Sequence, residues 1–293
     1  MNLLSNYYGI KGPLPFIDVD LDDDNRLYVD PHVIRLLGSP LPFATNAVNC
    51  LDTFFDAVTN RIILGTRAAL AEGEELLQKF SEPRETRLGM AKVGFHGHGG
   101  ADKVGTDIWN ALLGDVRVLI TVGVFKQIEH IPLFVEGVDN DITSDLTTRI
   151  IYGPLADFTS DMIAKYPQFR SVGEGVQTFT RQVWDPATSM WDTANVELPV
   201  VNGEPLLLVP SGWARERILM RARRFWSTIV LSYAQFETMV YANGKPVKTP
   251  KKVLKKQKGL EPGRDTNIRV TNRALKSQQD LVDAFTAFVD GKF

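Results

Sequence analysis

One short segment of the chain carries a dense group of acidic residues. Four carboxylates fall within ten positions, at Glu136, Asp139, Asp141 and Asp145. The segment joins a predicted strand, residues 131–138, to a helical pattern that begins near residue 144. Side chains from a strand end, a loop and a first helical turn can meet in a small volume, and Mg²⁺ prefers several carboxylate oxygens arranged in this way. The pattern therefore predicts that these four residues bind Mg²⁺ and form the catalytic site.

A magnesium ion at this position would polarise a phosphoryl oxygen or activate water, which is the chemistry of a phosphodiesterase or nuclease. An alternative interpretation needs no metal. Ser144 is a suitable N-cap, Asp145 in the first turn favours the helix dipole, and residues 139–141 suit a turn whose side chains bond to the backbone. The number of acids at one junction favours the first interpretation, and both stay open from the sequence.

A second segment is rich in glycine. Five glycines lie between positions 94 and 105: Gly94, Gly97, Gly99, Gly100 and Gly105. Backbone without side chains lets a phosphate approach closely, although neither a Walker A nor a dinucleotide-binding pattern is present. His96 and His98 could bind a transition metal, but no third ligand is close in sequence, so we interpret them as part of a loop. Glu82 and Glu85, just upstream, would add acids to the predicted magnesium site.

Other reaction classes find little support. Residues 18–24 contain five aspartates, but no alignment places glycine and glutamate where a calcium-binding EF-hand needs them, so we interpret the segment as a turn. The nucleophile elbow of serine hydrolases is absent. Cys50 lies on the apolar side of a predicted helix and is interpreted as a core residue. A single cysteine forms no internal disulfide, and the first residues show no secretory pattern, so we expect a cytoplasmic location.

Lysine dominates a segment near the C-terminus, residues 245–258, called the lysine segment below. It holds seven lysines and no acidic residue: Lys245, Lys248, Lys251, Lys252, Lys255, Lys256 and Lys258. Lysines at this density suit sequence-independent contact with phosphates, so the segment predicts nucleic-acid binding. A solvated charged surface is the alternative. The segment lacks the large opposing apolar face of a membrane-bound helix, so no membrane partner is expected.

Charge is unevenly distributed along the 293 residues, although the net charge is only −2. Residues 1–150 contain 13 Lys and Arg against 21 Asp and Glu, whereas residues 211–293 contain 17 against 7. The 44% apolar and 23% charged content is typical of a globular protein, which excludes general disorder and fibrous architecture. We therefore expect an α+β core with the acidic site over residues 1–210, and a basic helical region packed on that core over residues 211–293.

Periodicity predicts more helix than strand. We expect helical structure over residues 31–37, 44–80 with an interruption at a glycine, 101–113, from 144 with a kink at residues 153–154, 214–241, 250–258 and 271–289. We expect strands over residues 16–21, 27–29, 131–138, 177–183, 195–201 and 204–209. Asn202-Gly203 predicts a hairpin turn between the last two. The predicted fold class is α+β, helix-rich, with a small mixed or antiparallel sheet and a helical C-terminal region.

Several stretches carry a common pattern: Phe16-Ile-Asp-Val-Asp20, Leu27-Tyr-Val-Asp-Pro31, Glu82-Pro83 with Leu88-Gly89, residues 133–151, and Leu206-Leu-Leu-Val-Pro210. Together they resemble uncharacterised prokaryotic proteins found in mobile-element or phage-defence settings. The resemblance spans residues 16–210. It implies a bacterial or phage context, and it implies no particular activity.

Three functional hypotheses fit these patterns. The first is a Mg²⁺-dependent nuclease or phosphodiesterase in anti-phage defence, with the four acids holding the metal and the lysine segment gripping the nucleic-acid backbone. The second is a non-catalytic component of a prokaryotic defence or mobile-element system that binds nucleic acid or a protein partner. The third is a small-nucleotide enzyme that uses the glycine-rich segment, and nucleotide-induced thermal stabilisation would indicate it.

Overall fold

The computed structural model describes residues 2–23, 25–78, 83–89, 100–114 and 116–293. The helices are α1 (Leu4–Tyr8), α2 (Pro31–Leu37), α3 (Phe43–Leu64), α4 (Arg67–Leu76), α5 (Gly100–Leu113), α6 (Arg117–Thr121), α7 (Ile131–Phe134), α8 (Asn140–Ile150), α9 (Tyr152–Lys165), α10 (Gln168–Ser171), α11 (Ala222–Phe225), α12 (Leu231–Glu237), α13 (Lys251–Leu254), α14 (Arg264–Lys276) and α15 (Leu281–Asp290). The strands are β1 (Tyr28–Val29), β2 (Val176–Asp185), β3 (Met190–Val201), β4 (Glu204–Pro205), β5 (Ala214–Arg215), β6 (Val240–Ala242) and β7 (Lys245–Val247). Among these residues helix predominates and the sheets are small and antiparallel, so the predicted α+β class is confirmed.

The chain divides into two compact units. Unit 1 comprises residues 1–107 and 140–218, and unit 2 comprises residues 108–139 and 219–293. The third division, after residue 218, lies near the boundary that we expected at residue 210. The structure differs in placing residues 108–139 in the same unit as the C-terminal region. Composition could not indicate this, because it does not show which distant segments of a chain pack together.

Unit 1 is organised around a long hairpin. β2 and β3 form ten antiparallel pairs, from Val176 opposite Pro199 to Asp185 opposite Met190. β3 continues into the predicted turn, where Asn202 and Gly203 have φ values of 56° and 76°. The strand after the turn is shorter than predicted, since only β4 pairs with β3. Helices α3 and α9 pack against this hairpin.

The core of unit 1 also encloses the N-terminal segment. Tyr8 and Phe16 pack against Phe169 with ring centroids 4.7 and 5.9 Å apart. Residues 16–21, predicted as a strand, form only isolated bridges, at Phe16 and Asp20. The prediction was wrong because carboxylates replace the strand ladder: Asp18 accepts hydrogen bonds from the backbone and hydroxyl of Ser5 at 2.8 and 2.6 Å.

Unit 2 has its own aromatic core. Phe134 lies 5.8 Å from Phe125 and 5.7 Å from Phe225, and Phe225 lies 5.2 Å from Phe285, measured between ring centroids. These contacts bring α7, α11 and α15 together. Such edge-on and tilted aromatic pairs contribute about 0.5–1.5 kcal/mol each beyond the area they bury.

The segment predicted as a strand over residues 131–138 is helical at its start. A 3-10 turn over Ile128–His130 leads into α7, and Pro132 lies in the first turn of α7, where its fixed φ suits a helix. Every residue from 131 to 135 is buried. A run that is apolar on all sides has no period, so periodicity could not distinguish a buried helix from a buried strand.

Two long helices predicted near the C-terminus are interrupted. Residues 214–241 contain the short strand β5, then α11, a π-helical turn at Trp226–Val230, and α12. Residues 271–289 contain the end of α14 and α15 up to its penultimate residue. The break falls at Gln278, which has φ 56°, and Asp280 caps α15 by accepting from Val282 N at 2.9 Å and Asp283 N at 3.0 Å.

Candidate functional site

Two of the four predicted metal ligands belong to unit 2 and lie in the turn that follows α7. Glu136 has a side chain that is 81% exposed, and it forms an ion pair with Arg264 at 3.3 Å. Arg264 also donates to the Val138 carbonyl oxygen at 3.0 Å. Asp139 is exposed. Glu136 therefore has a cationic partner that fixes the turn against α14.

The other two predicted ligands, Asp141 and Asp145, belong to unit 1 and lie one turn apart on α8. The Asp141 carboxylate lies against the backbone of Gly89, where an added Cβ would be 3.0 Å from Oδ1. Ser144 is inside α8 and accepts a buried hydrogen bond from Val29 N at 2.9 Å. The alternative assignment of Ser144 as the N-cap was therefore wrong, because α8 begins four residues earlier, with Asp141 in its first turn.

The described geometry identifies no metal centre. Among the residues that the structure describes, no three His, Cys, Asp or Glu side chains group together in a way that could hold a metal ion. Asp139, Asp141 and Asp145 each interact with another residue. The Mg²⁺ site at Glu136, Asp139, Asp141 and Asp145 therefore stays a prediction.

Most of the glycine-rich segment, with the acid upstream of it, lies outside the described residues: Glu82, Gly94, His96, Gly97, His98 and Gly99. Gly105, which is described, has a packing role on α5. A Cβ there would be 1.8 Å from the Leu77 carbonyl oxygen, so only glycine lets α5 approach the end of α4 so closely. Its presence is explained without a phosphate ligand.

The lysine segment occupies an exposed part of unit 2. It begins in the hairpin of β6 and β7, whose residues are all exposed, and continues through α13. Six of its lysines are exposed, all except Lys251. Within the described part of the chain, none of the seven forms an ion pair. The segment therefore presents positive charge that no ion pair with the described residues neutralises, and Glu261 acts only on Lys258, at its end.

Two of these lysines contact their own unit. Lys251 donates to the carbonyl oxygens of Ser227 and Thr228 at 2.8 and 3.2 Å, and burial, with the nearby Lys255 charge, lowers its pKa. The Lys255 ammonium lies 5.5 Å from the centroid of the Trp226 ring, a cation–π distance. Lys251 therefore anchors α13, whereas Lys255 stays exposed over the Trp226 ring and, with the other five exposed lysines, can meet a ligand.

Sequence reasoning missed a charged cleft in unit 1. The cleft has a volume of about 330 Å³ and is lined by Pro83, Glu85, Arg149, Tyr152, Thr180, Arg181 and Gln182. Its residues come from a 3-10 turn at Arg84–Thr86, from α8 and α9, and from β2. Burial lowers the pKa of the Arg149 guanidinium from its ordinary value. Burial and the Glu85 charge raise the pKa of the Tyr152 hydroxyl, which stays protonated at neutral pH.

Two further assignments made from the sequence are confirmed. Cys50 is buried in α3, and burial raises the pKa of its thiol to about 12, which is unsuited to a nucleophile. The described part of residues 18–24 forms bends tied by local hydrogen bonds, such as Asn25 Oδ1 accepting from Asp20 N at 2.8 Å. These aspartates stabilise a turn.

The chain has an α+β fold with two candidate surfaces, the lysine segment and the cleft of unit 1. A family described as a domain of unknown function, DUF8370, matches residues 11–220. Because this is more than half of the chain, the protein belongs to that family, and the match contains the cleft but not the lysine segment. No curated protein and no solved structure matches the chain. Across the described residues, no helix has both the length and the apolar composition needed to span a membrane.

Proposed function

We propose that this protein binds nucleic acid through the lysine segment, by contact with the phosphate backbone rather than by reading a base sequence. One observation carries the proposal: six lysines within 14 residues are exposed, and none forms an ion pair with the described residues. Each ammonium group that meets a phosphate releases a condensed counterion, which favours binding whatever the base sequence. A segment kept only for solubility would not need to exclude acidic residues.

Apolar side chains in the hairpin favour single-stranded nucleic acid. Tyr241 is 69% exposed and pairs across the hairpin with Pro246. Val240 and Val247 face each other on the opposite side of the hairpin and are also exposed. An exposed aromatic ring beside lysines gives an unpaired base a surface on which to stack, and the bases of a duplex are already paired and stacked. We therefore expect single strands to bind more tightly than duplexes of equal length.

Fluorescence anisotropy with the full chain tests the proposal, using labelled DNA and RNA of about 20 nucleotides, longer than one domain's footprint. The test variant carries Lys→Gln at four exposed positions: Lys245, Lys248, Lys252 and Lys256. The control variant loses the same charge at exposed positions elsewhere: Lys11, Arg67, Arg117 and Lys292. We expect the test variant to bind at least about 30-fold more weakly and the control to bind like the wild type. No binding by the wild type, or equal losses in both variants, would refute the proposal.

The same reactions examine the predicted catalysis. The nuclease or phosphodiesterase hypothesis would be supported by cleavage that requires Mg²⁺ and stops when EDTA is added. The same cleavage should be lost in the variants Asp141→Ala and Asp145→Ala. Binding without cleavage would support the non-catalytic component. A role in anti-phage defence and a cytoplasmic location, which the single cysteine favours, are further parts of the proposal. A protein partner is the alternative ligand, to be considered if neither DNA nor RNA binds.

A further inference from the structure

The cleft in unit 1 contains a buried arginine that forms no ion pair with the described residues, although the Glu85 carboxylate lies close enough to act on it electrostatically. Arg149 is only 8% exposed, and its two terminal nitrogens donate to the backbone oxygen and the side-chain oxygen of Gln182. Its Nε has no hydrogen-bond partner. Among the described residues, no carboxylate lies within ion-pair distance of Arg149. Buried charges are normally paired, because removing a charge from water is costly.

Neighbouring groups hold this guanidinium in place. Arg149 stacks on the Trp191 ring, with its guanidinium carbon 5.1 Å from the ring centroid. The Trp191 indole in turn donates to the Leu76 carbonyl oxygen at 3.1 Å and lies 5.3 Å from the Trp184 ring. A guanidinium fixed in this way loses little conformational freedom when it meets an anion.

A second guanidinium faces the same cleft. Arg181 is 28% exposed and donates through Nε to Glu85 Oε1 at 3.0 Å. The Tyr152 hydroxyl lies 3.5 Å from the same oxygen. The ionised groups of the cleft therefore total two positive charges and one negative charge, and the one internal carboxylate pairs with the more exposed arginine.

We propose that this cleft binds the phosphate group of a small molecule, with Arg149 and Arg181 as its cationic contacts. A phosphate monoester carries nearly two negative charges at neutral pH and matches two guanidinium groups, whereas a carboxylate carries only one charge. The Tyr152 hydroxyl, which donates to Glu85, helps to hold that carboxylate beside the site. The volume of about 330 Å³ is at the small end of ligand sites, which fits a phosphate with a compact organic group. Glu85 competes with the ligand for Arg181.

Calorimetric titration of the full chain tests this proposal with four probes. Inorganic phosphate and adenosine 5′-monophosphate share the proposed chemistry, whereas adenosine and acetate lack it. We expect both inorganic phosphate and the nucleotide to bind. A higher affinity for the nucleotide would indicate an organic phosphate as the ligand, and equal affinities would indicate that the phosphate group alone is recognised. Absence of phosphate binding below about 10 mM, or acetate binding as tightly as phosphate, overturns the proposal.

Variants distinguish a binding site from a structural ion pair. Arg149→Gln removes a buried group and can fail to fold, so the partly exposed Arg181 is the main target. We expect Arg181→Gln to weaken phosphate binding at least about tenfold, and Glu85→Gln to strengthen it, because the competing charge is gone. The control is Arg170→Gln, which breaks the exposed Arg170–Glu197 ion pair of the same unit, 2.8 Å long, and should leave the affinity unchanged. Equal losses in Arg181→Gln and Arg170→Gln, or weaker binding in Glu85→Gln, contradict the assignment.

Discussion

Salt should weaken nucleic-acid binding steeply, and the exposed lysines set the slope. Six lysine head groups are available in the lysine segment once Lys251, which bonds to Ser227 and Thr228, is excluded. If all six meet phosphates, the logarithm of the association constant falls with the logarithm of salt concentration with a slope of about −4 for a single strand and about −5 for a duplex. Raising salt from about 50 to about 200 mM then costs about 250-fold in affinity for a single strand.

Replacing Lys245, Lys248, Lys252 and Lys256 by glutamine leaves two of these head groups. The slope for a single strand should then fall to about −1.4, so the same change in salt costs only about sevenfold. Anisotropy titrations at four or more salt concentrations measure both slopes. The single variant Lys251→Gln is a useful internal comparison, because that ammonium contacts backbone carbonyls and should contribute nothing to the slope.

The result that would refute this reasoning is a slope that does not follow the lysines. An identical slope in wild type and fourfold variant would place the phosphate contacts elsewhere on the chain. A wild-type slope shallower than about −2 would mean that few of the six ammonium groups meet phosphates, and that the exposed charge serves another purpose.

Two stability predictions concern the elements that hold each unit together. Gly105→Ala should lower the free energy of unfolding in urea by at least about 2 kcal/mol, because the added Cβ would overlap the Leu77 carbonyl oxygen. The control, Gly153→Ala, would contact only Val183, at 3.9 Å, and should be neutral or slightly stabilising. Equal effects of the two substitutions would contradict the packing role of Gly105. Asp280→Ala should cost about 1 kcal/mol by removing the cap of α15, and Asp280→Asn should restore most of it. If both Asp280 variants lose the same stability, the effect would come from the negative charge of Asp280 beside Lys126 and not from the cap.

Elements with a clear period or a strong turn signal were predictable. α3 ends at Leu64 because Gly65 adopts φ 64°, which accounts for the interruption expected in the long helical pattern. The turn at Asn202 and Gly203 required two positive φ values, which this residue pair adopts readily. Local rules succeed at these places because the backbone conformation itself selects the residue.

Other elements depended on tertiary structure. The apolar run at residues 131–135 is buried on every side, so its conformation is set by the core of unit 2 and not by a local pattern. The predicted metal ligands were grouped by their closeness in sequence. The division between units passes between Asp139 and Asp141, so that closeness said little about the surroundings of each carboxylate.

The cleft of unit 1 illustrates a signal that motif searches overlook. Its groups lie at Glu85, at Arg149 and Tyr152, and at Arg181, so no local motif joins them. One sequence signal is nevertheless local. Arg149 lies on the same face of α8 as the apolar residues Leu146 and Ile150, and all three are buried. Burying a guanidinium there loses more hydration free energy than its contacts recover, unless an anionic partner compensates the charge. Among the described residues, Arg149 donates to two oxygens of Gln182 and stacks on the Trp191 ring but forms no ion pair, and this is why we propose an anionic ligand there. A lone arginine on an apolar helical face is therefore a stronger indication of a binding site for an anion than a run of acids at a helix start is of a binding site for a metal ion.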